Sequence, residues 1–260
     1  MDTVILSRPR PGVGLVTLNR PERLNAIDPA LDAAVAAALL EFEADAAVRC
    51  IVITGAGDKA FCAGADIPTY LPVLRSNIEA DRDDPQICGL THRVTTTKPM
   101  LAAVNGIAFG GGLEIALACD LRIASSRARF GLPEIRLGLL AAGGGCTRLP
   151  RTIPAALAAE MMLTGEPIDA SRALDAGLVS RVVAPEALMD TALDLAANVA
   201  SRAPRALRAC TELLRRTRFA ELQDALAHER ALFAKLLLSQ DGAEGIAAFA
   251  EKRTPVWRDA

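Results

Sequence analysis

The sequence predicts an α/β protein: a mixed core over roughly two thirds of the chain, followed by a helical portion. Three observations predict it. Two uninterrupted apolar runs, residues 50–54 and 101–105, read as buried strands, and each ends in a glycine-containing loop. Helical periodicity dominates from about Pro154 onward. At 260 residues, 51% of them hydrophobic, the chain can bury a substantial core.

Taken in order, residues 4–7 and 13–19 are β-favouring runs separated by Arg8-Pro9-Arg10-Pro11-Gly12, which is good hairpin chemistry. Asp28-Pro29 then opens a helix. Asp28 suits the N-cap and Pro29 the first helical position, while Leu31, Val35, Leu39 and Phe42 give that helix one apolar face. The strand at 50–54 runs into Gly55-Ala56-Gly57-Asp58, and a charge-rich stretch at 80–86 has no clear pattern. Lys98-Pro99 stops a helix before the strand at 101–105; a short apolar helix follows at 112–119, a strand at 121–124, and a bend at Phe130-Gly131-Leu132-Pro133. Helical patterns then cover 155–163, 170–176, 185–200, 204–216, 219–238 and 243–251, with only 178–183 still strand-like. Strand, strand, helix recurs loosely in the first half.

Charge and composition exclude several function classes. A net charge of -2, from 29 basic and 31 acidic residues well mixed along the chain, gives no broad field for nucleic acid or an acidic membrane surface. No apolar run reaches the length needed to cross a bilayer, and Met1-Asp2-Thr3-Val4 carries an acid where a secretory signal is basic, so a cytoplasmic protein is expected. The six cysteines are scattered without close pairs and read as reduced, mostly packed thiols. His92 and His228, the only histidines, are far apart, which leaves a zinc site or a Ser-His-Asp triad little to build on. Asp81, Asp83 and Asp84 read as solvated rather than as a calcium loop, so no metal is expected. Gly55-Ala56-Gly57 after a strand imitates a dinucleotide fingerprint, but Pro68 follows closely and makes a poor helix start.

The chemistry-bearing residues are two glutamates. Glu114 ends the run Gly110-Gly111-Gly112-Leu113-Glu114 and interrupts an apolar helix, where a buried charge is costly unless it is used or paired. Glu134 follows Leu132-Pro133. Two carboxyl groups beside a glycine loop can supply both proton-transfer groups of an acid/base reaction, next to backbone N–H groups able to hold developing negative charge. A second glycine cluster, Gly143-Gly144-Gly145, serves either tight packing or function.

An ordered set of motifs surrounds these glutamates: Leu18-Asn19-Arg20-Pro21 with Leu24-Asn25-Ala26; Lys59-Ala60-Phe61-Cys62-Ala63-Gly64-Ala65-Asp66-Ile67; Ala103-Val104-Asn105-Gly106 through Phe109 to Glu114; and Phe130-Gly131-Leu132-Pro133-Glu134 with Gly138. This set resembles the enoyl-CoA hydratase/isomerase (crotonase) family, and the similarity extends through Leu163-Thr164-Gly165 to Ala248-Phe249-Ala250-Glu251-Lys252-Arg253.

The resemblance implies a crotonase-like spiral of repeated ββα units over residues 1–195, carrying an acyl-CoA site, and a C-terminal helical trimerisation region over 196–260. It implies a homo-oligomer, a trimer or a dimer of trimers. By position, the family's two oxyanion-hole N–H donors fall on Ala63 and Gly111 and its catalytic carboxylates on Glu114 and Glu134. Substrate contacts fall on Arg23, Lys59, Gly64, Ala65, Asp66, Ile67 and Gly110, with Phe249 and Lys252 reaching the coenzyme A of a neighbouring subunit. Pro68 and Glu22-Arg23 stand where the family pattern has lysines, and Leu139-Leu140-Ala141-Ala142 replaces a proline and glycine.

The activity so implied is hydration of a trans-2-enoyl-CoA to a 3-hydroxyacyl-CoA, a step of fatty acid β-oxidation, with no cofactor beyond the coenzyme A of the substrate. Isomerisation of the double bond, dehydration of a specialised acyl-CoA, and acyl-CoA binding without turnover are the alternatives.

Overall fold

The computed structural model describes residues 2–81, 87–91, 96–217 and 220–260. His92, Asp83, Asp84, most of the 80–86 stretch and Phe219 lie outside the described residues. The chain runs through β1 (Val4–Arg10), β2 (Val13–Leu18), α1 (Pro29–Ala44), β3 (Cys50–Gly55), β4 (Ala60–Cys62), α2 (Ile67–Glu79), β5 (Met100–Val104), β6 (Ile107–Phe109), α3 (Gly111–Ala118), β7 (Leu121–Ser125) and β8 (Arg129–Gly131). It continues through α4 (Gly145–Arg148), α5 (Ala155–Thr164), β9 (Ile168–Asp169), α6 (Ala170–Asp175), β10 (Val182–Val183), α7 (Leu188–Ala200), α8 (Pro204–Thr217), α9 (Leu222–Leu237) and α10 (Gln240–Ala250).

The pairs β3-β4, β5-β6 and β7-β8 each send their first strand to one sheet and their second to another, whereas β1 and β2 pair as a hairpin in the first sheet. A six-stranded sheet has the order β1-β2-β3-β5-β7-β10, and a four-stranded sheet has the order β4-β6-β8-β9. Within them β3, β5 and β7 run parallel, as do β4, β6 and β8. The units β3-β4-α2 and β5-β6-α3 therefore stack as turns of a spiral, which is the fold the resemblance implied. The three-residue strands β4, β6 and β8 escape periodicity because each is too short to show an alternation.

Side chains alternate across β3 and β5. Ile51, Ile53, Met100, Ala102 and Val104 enter the main core with Phe42, Phe61 and Phe130. Cys50, Val52, Leu101 and Ala103 face the other way, onto the stripe Leu188, Ala192, Ala196 and Ala200 of α7. The boundary expected between 195 and 196 falls inside α7, whose stripe continues along that sheet face to Ala200.

Local chemistry explains where the elements start. The Asp28 side chain accepts the Leu31 N–H at 2.8 Å and caps α1 as expected. β1 runs through Pro9 instead of turning at residue 8, because an edge strand has outward positions where a proline's missing N–H costs no ladder bond; the turn falls at Pro11-Gly12. Pro68 does not block a helix either. It lies in the first turn of α2, where its missing donor would have no intrahelical partner.

A clamp ties α8 to the core. Arg215 on α8 makes two bonds to Asp120, at 2.8 and 2.6 Å, and donates further to Thr96 O and Lys98 O. By contrast α9 buries none of its residues, and Leu222, Leu226, Phe233 and Leu237 lie exposed along it. Among the described residues no helix is long and apolar enough to cross a membrane.

Candidate active site

Glu114 sits in the first turn of α3, every residue of which is buried. The Gly111 amide, at the first position of this helix, is one of the N–H groups that an α-helix leaves without an internal partner. Glu114 is itself only 2% exposed. Burial pushes its carboxyl up to about 7; the Gly145 amide opposes the shift, the nearby Glu134 charge adds to it, and Arg148 and the Gly143 amide oppose it.

Glu134 lies in the first turn of the short 3-10 helix Pro133–Leu137, which follows β8 after Leu132. Its carboxyl is raised by burial, against the lowering effect of its own backbone N–H. Oε2 of Glu134 is buried without a hydrogen-bond partner among the described residues. A methyl carbon placed on Gly110 would come within 2.6 Å of Glu134 Oε1, so the glycine immediately before α3 makes room for the second acid. The structure thus brings the two glutamates together at the start of one buried helix.

The second glycine cluster belongs to the same site. Gly145 donates its N–H to Glu114 Oε1 at 2.8 Å. A methyl carbon on Gly143 would lie 2.5 Å from Glu114 Oε2, and one on Gly145 would lie 2.9 Å from Oε1. These glycines let backbone reach a buried carboxyl. Ile87 completes the wall; its Cδ1 lies 2.9 Å from such a carbon on Gly143 and 3.8 Å from one on Gly111.

One expected amide moves. Ala63 donates its N–H to Leu24 O at 3.0 Å, so that donor is already used within the fold. Ala65 is placed differently. It forms a parallel bridge with Ile27, in which Ile27 N–H bonds Gly64 O and Asp66 N–H bonds Ile27 O, both at 2.8 Å. In a parallel bridge the flanking residues make those bonds, so the N–H of Ala65 itself points away from Ile27. Gly64, at φ 96°, brings this segment against the start of α3: a methyl carbon on Gly64 would be 2.9 Å from Phe109 O and 3.5 Å from Gly111 N. The amides of Ala65 and Gly111 therefore lie on neighbouring stretches of backbone.

The motif order, the spiral and the paired acids agree with what is similar to this chain. The family profile described as enoyl-CoA hydratase/isomerase matches residues 9–260. The chain belongs to the enoyl-CoA hydratase/isomerase family. It is 42% identical over 248 residues to (E)-benzylidenesuccinyl-CoA hydratase of Thauera aromatica, covering 95% of this chain and 96% of that one. It is 44% identical over 242 residues to a probable enoyl-CoA hydratase of Rhizobium meliloti, covering 93% and 92%. Carnitinyl-CoA dehydratase of Citrobacter koseri is 40% identical over 252 residues, with 94% of each chain covered. The crystal structure of an enoyl-CoA hydratase from Bacillus anthracis superimposes with a TM-score of 0.91 at 33% identity, covering 99% of this chain and 100% of that one.

In this enoyl-CoA hydratase/isomerase family enzyme the expected coenzyme A contacts fall into two groups. Arg23, Lys59 and Ile67 are exposed, Gly64, Ala65 and Asp66 form the segment that meets α3, and Gly110 lies beside Gly64. Phe249 and Lys252 lie instead at the end of α10, where Phe249 lines a hollow of about 340 Å³ with Ile246 and Trp257. Neither glutamate lines that hollow. Nor do they line the cavity of about 1050 Å³ between the C-terminal end of α3 and helices α8 and α9, which Arg122, Arg148, Arg205 and Asp120 border.

Proposed function

We propose that the enzyme is an enoyl-CoA hydratase, adding water reversibly across the double bond of a trans-2-enoyl-CoA to give a 3-hydroxyacyl-CoA. The observation that carries this reading is the pair of buried carboxyl groups, both raised, with the Ala65 and Gly111 amides beside them. Glu114, as carboxylate, takes a proton from water as its oxygen attacks the β-carbon. Glu134, as acid, delivers a proton to the α-carbon, and the net change is H–OH added across one C=C bond. The Gly145 and Gly143 amides and Arg148 favour charge on Glu114 against the burial that raises it to about 7, and Glu134, raised by burial as well, has an Oε2 without a donor among the described residues.

Charge that moves onto the thioester oxygen is held by the Ala65 and Gly111 amides. Removing one such donor typically costs about a hundredfold to a thousandfold in turnover. The start of α3 adds its positive end at the same place. The reaction needs no metal and no cofactor beyond the coenzyme A of the substrate. The exposed apolar row on α9 fits a trimer or a dimer of trimers, in which Phe249 and Lys252 reach a neighbour's coenzyme A. A role in fatty acid β-oxidation and a cytoplasmic location accord with that substrate.

A second reading, a hydratase or dehydratase of a specialised acyl-CoA, is favoured by the similarity to benzylidenesuccinyl-CoA hydratase and carnitinyl-CoA dehydratase. Purified protein is to be mixed with crotonyl-CoA and with aryl- or carboxyl-substituted enoyl-CoAs while the conjugated thioester absorbance is followed. Loss of the crotonyl band supports the first reading and loss confined to substituted substrates the second. Tight binding of all of them without turnover refutes both.

A further inference from the structure

The motif Leu18-Asn19-Arg20-Pro21 has no part in the chemistry above, yet its arginine is tied to the segment that carries the Ala65 amide. Arg20 Nη2 lies 3.1 Å from Asp28 Oδ2 and 3.1 Å from Asp66 Oδ2, while Nη1 donates to Ala26 O at 2.5 Å. The side chain is 14% exposed, so the guanidinium is committed to these partners and is not available for a substrate phosphate. Asp28 and Asp66 each follow one member of the Ile27–Ala65 bridge in the chain. One cation thus joins two carboxylates that sit immediately beyond the bridge on its two strands.

The rest of the loop works in the same direction. Asn25, left-handed at φ 55°, donates from its amide nitrogen to Ala60 O at 2.9 Å, and Leu24 O receives the Ala63 N–H. Residues 20–28 are therefore a template along which residues 60–66 are laid. Without the guanidinium, Asp28 and Asp66 face each other uncompensated, and their repulsion acts on the bridge that aims the Ala65 amide.

We propose that Arg20 is a positioning residue, holding the Ala65 N–H against the thioester oxygen by drawing Asp28 and Asp66 together across the Ile27–Ala65 bridge. This rests on the oxyanion-hole reading given above. A positioning role predicts that R20A lowers kcat while leaving KM for an enoyl-CoA within about threefold, because the amide acts more strongly on the transition state than on the bound substrate.

The test uses cinnamoyl-CoA, whose conjugated band moves to longer wavelength when its thioester oxygen is polarised. Wild type is expected to shift the band, R20A to bind the probe with most of that shift lost, and R20K to recover part of it through contact with one carboxylate. Turnover of R20A is expected to fall by at least about tenfold, less than deletion of a donor outright. R20M keeps the aliphatic stem, removes the tie and leaves both carboxylates facing each other, so it serves if R20A does not fold. A full band shift in folded R20A or R20M overturns the role of Arg20 alone. No shift in wild type with the probe bound overturns the oxyanion-hole reading, and this proposal with it.

Discussion

Gly145 donates its backbone N–H to Oε1 of Glu114 at 2.8 Å, joining the start of α4 to the first turn of α3. This contact exists only because nothing larger than hydrogen stands on the neighbouring α-carbons. A methyl carbon on Gly143 would come within 2.5 Å of Glu114 Oε2 and displace the carboxylate. Gly143→Ala is therefore expected to cut kcat by about tenfold or more, since misplacement by an ångström can cost a hundredfold. Thermal melting and steady-state kinetics check it together, and full turnover in a folded G143A would remove the cradle from the mechanism.

Glu134→Gln keeps the shape of the side chain but cannot deliver a proton. Turnover on the substrate that wild type hydrates should fall at least about a hundredfold while affinity for a saturated acyl-CoA is unchanged. Calorimetric titration with butanoyl-CoA separates the two effects. Near-wild-type turnover in this variant would refute the role of Glu134.

Burial raises the Glu114 carboxyl to about 7, and this makes stability depend on pH. A carboxyl whose folded value lies above its unfolded value near 4.5 gives a folded state that binds the extra proton. Its contribution is fully present below 4.5 and is lost as pH rises through 7. At pH 8 the ionised side chain opposes folding by roughly 3 kcal/mol, whereas glutamine in its place carries no charge. E114Q should be inactive and should melt above wild type at pH 8, with the difference shrinking toward pH 5. A melting difference that does not vary over this range would contradict the burial cost assigned to Glu114.

Asp120 is 6% exposed and pairs with Arg215, 21% exposed, where α8 meets the core. Removing Arg215 leaves a buried carboxylate that still accepts the Met100 amide at 2.8 Å but has lost its cation. R215A should lose roughly 3 kcal/mol in urea unfolding, within the range for breaking a buried pair on one side. The D120L/R215L double variant should be less destabilised than the two single changes added together. Additive effects would mean that the two side chains act independently.

Much of the fold was legible because its signals are local. Asp28-Pro29 marks the start of α1, and the apolar runs at 50–54 and 101–105 are strands buried on both faces. The glutamates were found through motif order and by the cost of a charge inside an apolar helix. What failed needed a third dimension. Whether the Ala65 amide points away from its neighbour depends on how Ile27 bridges it, and residue type carries no trace of that choice. The same holds for Ile87, which reaches Gly111 and Gly143 from a distant turn, and for Gly143 and Gly145, whose packing and functional readings are one and the same. Pro68 misled because a proline stops a helix from inside and starts one from its first turn.

The complete enclosure of α3 also bears on how this protein can change over generations. The positions from 111 to 116 have no open space into which a longer side chain could escape, so a library of random variants should retain fewest survivors there. The exposed leucines at 137, 139 and 140, just past Glu134, meet no such barrier. Substitutions are expected to accumulate at those leucines, while the buried start of α3 stays fixed.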